Sequence, residues 1–197
     1  PEWANIGVID SNRYKGYFLP RDDARAMFIG NYVTCCQQIG GEAEQSAIHS
    51  QASPFGALFV VENKKKKTLS AQSWVWSNEN IVVFDNIESP SGKAGASYNE
   101  KAMNEILDIY KMASQKIALI TQKPVFVGNS SYGIKSDFYE GLDSHRIHLV
   151  PEDSHVFLDS FYPKDRNYIE LGMTNNSYRT NSGLYLDSYY DKRRLAN

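Results

Sequence analysis

The chain is 197 residues long, 42% hydrophobic and 22% charged, with a formal net charge of -2. That length suits one domain with a real core, and the near-neutral balance argues against a domain built to neutralise nucleic-acid phosphates. No apolar run is long enough for a membrane span, and no signal peptide is visible.

The only cysteines, Cys35 and Cys36, are adjacent, and a bridge between neighbours is strained. No disulfide framework is expected, and a reducing, cytoplasmic setting follows. Residue 1 is Pro rather than Met, which suggests a processed product or a piece of a larger parent protein.

Residues 6–9 and 14–19 read as a short strand pair. Pro20 with Asp22 and Asp23 resembles a helix start, since acidic groups favour the first turn. Ala24, Met27, Phe28, Tyr32 and Cys35 then recur at helical spacing, interrupted by Gly30 and stopped by Gly40-Gly41. Residues 42–56 are mixed, and a second short helix is expected there. Strands are expected at 57–61, 69–76 and 81–87, joined by polar links at 63–67 and 77–80. Three strands with tight links read as an antiparallel meander. The lysine run 64–67 reads as a solvated turn. Trp74 and Trp76 lie two apart and share one face of their strand, where they cover the core.

A loop rich in Gly, Ser and Ala follows, then a helix over about 99–119 capped by Asn99. Met103, Ile106, Leu107, Tyr110, Ala113 and Ile117 form its apolar stripe. The free N–H groups and positive dipole end of such a helix face its loop, a ready site for a phosphate. A strand at 124–127, a brief helix or turn at 138–142, and strands at 146–150 and 155–161 complete the pattern. From residue 163 the composition turns polar, rich in Asn, Tyr, Ser and Asp. The expected division is a domain over 1–162 and a polar C-terminal extension over 163–197.

This order of elements resembles the GNAT acyltransferases. Two segments carry the resemblance. Gly92-Lys93-Ala94-Gly95-Ala96-Ser97 lies where that family has a Q/R-x-x-G-x-G/A motif, with Gly95 matching and Gly92 replacing the leading Gln or Arg. Ser136-Asp137-Phe138-Tyr139-Glu140-Gly141-Leu142 is similar to the family's segment after its fifth strand.

The resemblance implies an α+β fold with a mixed, mostly antiparallel central sheet flanked by helices. It implies acetyl-CoA, or another acyl-CoA, as cosubstrate and an amine-bearing acceptor. The pyrophosphate would lie on Gly92, Lys93, Ala94, Gly95, Ala96 and Ser97. The pantetheine arm would run along the end of the strand at Ile87 and near Asn129. Tyr139 would act as general acid toward the leaving thiolate.

Acyl transfer to an amine also needs a base, and Glu88 is preferred over Asp85 because it lies nearer the loop. Strict alternation would put Asp85 and Ile87 on one face and Asn86 and Glu88 on the other. A first alternative is a GNAT-like interaction or structural module that has lost catalysis, in keeping with the altered loop. A second is a cysteine-dependent enzyme in which His49 activates Cys35 or Cys36. Adjacent helical cysteines point about 100° apart and converge poorly on one ion, so no metal is expected.

Overall fold

The computed structural model describes residues 1–41, 44, 52–54, 56–77, 81–130, 133–148 and 165–172. Eight strands among them form one sheet: β1 (Ile9–Asp10), β2 (Tyr14–Phe18), β3 (Gly56–Asn63), β4 (Leu69–Ser77), β5 (Val82–Phe84), β6 (Val125–Asn129), β7 (Ser144–His148) and β8 (Asp165–Gly172). Their order in the sheet is β1-β2-β3-β4-β5-β6-β8-β7. Every neighbouring pair is antiparallel except β5 and β6, which run parallel. Two α-helices are described, α1 (Ile29–Val33) and α2 (Glu100–Thr121).

The sheet is buried on both faces, which explains the near-continuous apolar runs of β3 and β5. Phe59, Val61, Val75, Phe84, Val127 and Ile169 meet the apolar stripe of α2. Leu58, Val60, Trp74, Trp76, Val83, Phe126 and Tyr168 form a second cluster with Ala26 and Ile29. The expected stripe of α2 is fully realised, and the Asn99 side chain accepts the Ala102 N–H at 2.9 Å as its cap. Under α2, Phe59, Phe84 and Tyr110 pack edge to face, with ring centroids 5.1–5.6 Å apart. Each such pair adds about 0.5–1.5 kcal/mol beyond area burial. The lysine run is a turn: Asn63 Oδ1 accepts the N–H groups of Lys65 and Lys66 at 3.1 and 2.9 Å.

Three expectations change. Residues 24–28 form a 3-10 turn, and α1 covers only Ile29–Val33 before Thr34 turns left-handed. The tighter turn shifts the helical phase, so Ala26, Ile29 and Val33 go inward while Met27, Phe28 and Tyr32 face out. Gly30 is a contact point rather than an interruption, because a Cβ there would meet the Gln38 nitrogen at 2.0 Å.

The second change concerns the polar extension. Residues 165–172 form β8, which lies between β6 and β7 and buries Tyr168 and Ile169. The sheet therefore continues past residue 162. The third change is a bulge after β5, described below. The expected strand at 155–161, most of the short helix in 42–56, and most of the extension lie outside the described residues. No helix among the described residues is long and apolar enough to cross a membrane.

A chain ending at residue 162 would leave β6 and β7 without the strand between them. It is expected to lose its cooperative urea transition, and one retaining native cooperativity would show that β8 is dispensable.

Candidate functional site where β5 parts from β6

The site begins with a register shift. β5 and β6 pair through Val82–Val125, Val83–Phe126 and Phe84–Val127, and there the pairing ends. On the other side, Val75 faces Phe84 but Gln72 faces Glu88, so the β5 side carries an extra residue. This is a β-bulge. Residues 85–88 stay with β4: the Asp85 N–H donates to Trp74 O at 2.8 Å, and Gln72 and Glu88 exchange backbone bonds of 3.0 and 2.9 Å. β6 continues with β8 instead, pairing Gly128 with Tyr168 and Asn129 with Asn167. The two central strands therefore part. The bulge also breaks the expected alternation, since Ile87 joins Phe84 in the core under α2 rather than facing away from it.

Few groups span the parting. The Ser130 hydroxyl donates to Asn86 Oδ1 at 2.9 Å, and the Ile134 N–H donates to Ile87 O at 3.1 Å. The Ser73 hydroxyl bonds both the Asn86 carbonyl and, at 3.0 Å, the Tyr110 hydroxyl. Asn86 is only 2% exposed, and its Nδ2 has no hydrogen-bond partner among the described residues.

The loop after the bulge packs at one end and opens at the other. Gly92 is buried so tightly that a Cβ would meet Ile134 Cγ2 at 2.4 Å and Met103 Sδ at 2.7 Å. Beyond it the chain comes to the surface. Ala94, Gly95, Ala96 and Ser97 are exposed, and the N–H groups of Lys93 through Ser97 make no hydrogen bond among the described residues. Gly95 has φ +141°, a conformation that side chains disfavour. The 22-residue α2 starts immediately after, with its positive dipole end toward this row of donors. A cleft of about 650 Å³ lies between Lys93 and Ala94 on one side and Asn129, Ser130 and Gly133–Ser136 on the other. Lys135 reaches over the Tyr98 ring, 4.2 Å from its centroid.

Glu88 is buried, and Lys93 forms an ion pair with its Oε2. Burial pushes the Glu88 carboxyl up to about 7; Lys93 pulls it down, and Asp85 adds to the rise. The Lys93 ammonium is thus engaged at Glu88 rather than standing alone in the loop. Tyr139 is 4% exposed, sits in the core cluster with Ile134 and Met103, and does not line the cleft. Cys35 is half-buried and Cys36 exposed. Burial pushes the Cys35 thiol up to about 12, the opposite of what a nucleophile needs. His49 lies outside the described residues.

Of the residues expected from sequence, Lys93, Ala94 and Asn129 meet at the cleft; Ile87 and Glu88 are buried, Ile87 O bonding the cleft-lining Ile134 and Glu88 pairing with Lys93, and Gly95, Ala96 and Ser97 continue the loop at the surface. Sequence reasoning passed over Asn86, Ser73 and Tyr110. Their signal was polar atoms inside otherwise apolar elements.

No family model matches the chain. A curated relative, the RYamide neuropeptides of Drosophila melanogaster, is 38% identical over 64 residues, which is 32% of this chain. The chain spans 58% of that relative's length. Among solved structures, a Vibrio cholerae protein assigned as a ribosomal-protein-serine acetyltransferase superposes with TM-score 0.52 at 14% identity, covering 84% of this chain and 97% of that one. A variant of the Vibrio cholerae spermidine N-acetyltransferase SpeG gives TM-score 0.50 at 16% identity, covering 81% and 94%.

The chain has the GNAT fold. At these identities the likeness establishes architecture, and the chemistry rests on the residues described above. The GNAT sheet here is open and mixed, and its one parallel pair is the pair that parts.

The pH dependence of stability follows from Glu88. Its carboxyl titrates higher in the folded chain than in the unfolded one, so the folded state holds the extra proton between about 4.5 and 7. Stability from this group is full below that window and falls as pH rises through it. Glu88→Gln removes the penalty. Relative to the parent, the variant is expected to gain stability from pH 4.5 to 7 and then level off, by a total on the order of 3 kcal/mol. Urea unfolding across that range checks this, and a pH-independent difference would contradict it.

Proposed function

We propose that this GNAT-fold chain is an N-acyltransferase that moves an acetyl or related acyl group from acyl-CoA to an amine. The observation that carries the reading is the parting itself. It leads from a row of open N–H donors to a buried carboxyl.

The residues present fit the cosubstrate. The N–H groups of Lys93, Ala94, Gly95, Ala96 and Ser97 would hold the pyrophosphate, aided by the α2 dipole and the nearby Lys135. Gly92 would hold the loop against Ile134 and Met103. The carbonyl of Ile87 and the side chain of Asn129 would line the pantetheine arm. An arm lying along residues 85–88 takes the place of the Ile134 N–H on Ile87 O. Bound acyl-CoA supplies a thioester carbon open to attack.

Glu88 would take the proton of the attacking amine. A carboxyl held near 7 is basic enough to do so and is still partly ionised at neutral pH. Tyr139 would serve as general acid toward the leaving thiolate; like Glu88 it is 4% exposed. The acceptor is an amine, the class on which the spermidine N-acetyltransferase of Vibrio cholerae acts. A cytoplasmic setting belongs to the same proposal.

A second reading, an interaction module without catalysis, is favoured by Ser130 and Ile134 hydrogen-bonding across the parting. Calorimetric titration with CoA separates the two. The enzyme reading expects micromolar binding, weakened at least tenfold by Gly95→Asp, which strains the loop and puts a negative charge among the donors. No heat at millimolar CoA would leave the module reading standing.

A further inference from the structure

At the β1 edge of the sheet, β2 outruns its neighbour. β1 pairs only Ile9 with Gly16 and Asp10 with Lys15, and the chain ahead of it turns at Gly7, which has φ +73°. The Ser11 N–H donates to Tyr14 O on one side of β2, and the Leu19 N–H donates to Leu58 O on the other. Alternation along β2 therefore aims the backbone groups of Tyr14, Gly16 and Phe18 toward β1, and those of Lys15 and Tyr17 toward β3. Phe18 has no residue of β1 opposite it, and its N–H and C=O make no hydrogen bond among the described residues. A cleft of about 590 Å³ lies there, lined by Asn5, Gly7 and Val8 ahead of β1 and by Tyr17 and Phe18 of β2.

Lys15 and Arg25 line the same cleft, with side chains 33% and 34% exposed. Glu62 pairs with both, at 3.4 and 3.3 Å, and accepts from the Tyr17 hydroxyl at 2.6 Å, but its own side chain is only 7% exposed. Asp23, the other partner of Arg25, does not line the cleft. Nor does Asp10, which stands opposite Lys15 and pairs with Lys64. The charge that the cleft offers to solvent is therefore cationic, and a buried carboxylate fixes it in place.

An unpaired stretch of strand edge is a template for another strand. We propose that this cleft binds an extended acidic peptide, which adds to the edge of β2. One peptide residue exchanges N–H···O=C bonds with Phe18. Side chains alternate along a strand, so the residues on either side of it fall on the face of Lys15 and Tyr17, where a Glu or Asp carboxylate meets Lys15 and Arg25. The backbone bonds hold the peptide, and the two cations select an acidic sequence over a basic one. The site lies three strands from β5 in the sheet order and does not depend on the acyltransferase reading.

The test titrates acetyl-Glu-Val-Glu-amide into the isotope-labelled chain and follows backbone amide resonances. The Phe18 resonance is expected to shift and saturate. Methylating the Val nitrogen removes the donor for the Phe18 carbonyl and keeps both charges, and binding is expected to weaken about tenfold. Acetyl-Lys-Val-Lys-amide and acetate, at the same concentrations, are expected to leave the Phe18 resonance in place. Lys15→Glu is expected to weaken binding of the acidic peptide by about tenfold. Should that variant fail to fold, the four ligands on the parent chain decide alone. A Phe18 resonance that stays put at millimolar acidic peptide overturns the proposal. Equal binding of the methylated or the lysine peptide also overturns it, as does acetate that moves the same resonance. None of these outcomes bears on CoA at the loop, so the two readings fail separately.

Discussion

Between Phe84 and Glu88 the chain has one residue more than the strand beside it, and that surplus draws β5 off β6. A parallel pair in the middle of a sheet normally satisfies its own backbone groups. Here the groups beyond Phe84 need other partners, which serine hydroxyls and a loop N–H provide. Ser73 serves the carbonyl of Asn86, Ser130 serves its amide oxygen, and Ile134 serves the carbonyl of Ile87. The bulge is held open from below by close packing. Ile87 is fully buried beside Phe84, and Gly92 lets Ile134 and Met103 close over the start of the loop. A compact apolar floor under a polar opening is what a bound arm with alternating amide and methylene groups would require.

Electrostatics at the opening combines two demands that conflict at short range. The loop at 93–97 and the α2 dipole favour an anion, whereas Glu88 carries negative charge nearby when ionised. Lys93 lies between them and pairs with Glu88, which keeps the buried carboxylate tolerable. Desolvation still dominates, so Glu88 titrates near neutrality instead of in the usual carboxylate range. Burial raises the Cys35 thiol and the Tyr110 hydroxyl, and the charge of Glu88 adds to both.

Much of the fold was legible in the sequence. The stripe of α2, its Asn99 cap, the hairpin of β3 and β4 with its lysine turn, and the place of the loop all follow from local pattern. What was not legible depends on contacts distant in sequence. The bulge is set by how residues 85–88 pair with β4, and nothing in the run IVVFDNIE marks the extra residue. β8 was hidden because Tyr168 and Ile169 are adjacent, both buried, and set among polar residues. The phase of α1 was missed because a 3-10 turn precedes it and the chain returns over Gly30. At the site, the buried amide of Asn86 was not legible, since an unsatisfied donor can be recognised only once its neighbours are placed.

The most direct measurement is amide hydrogen exchange with and without CoA, read residue by residue. The central claim is that the parting of β5 and β6 receives the arm of a thioester whose phosphates lie on the loop. It requires slower exchange at Lys93 through Ser97 and faster exchange at the Ile134 N–H, as its bond to Ile87 gives way to the ligand. CoA bound with those amides unchanged, or with protection confined to another part of the sheet, would contradict it.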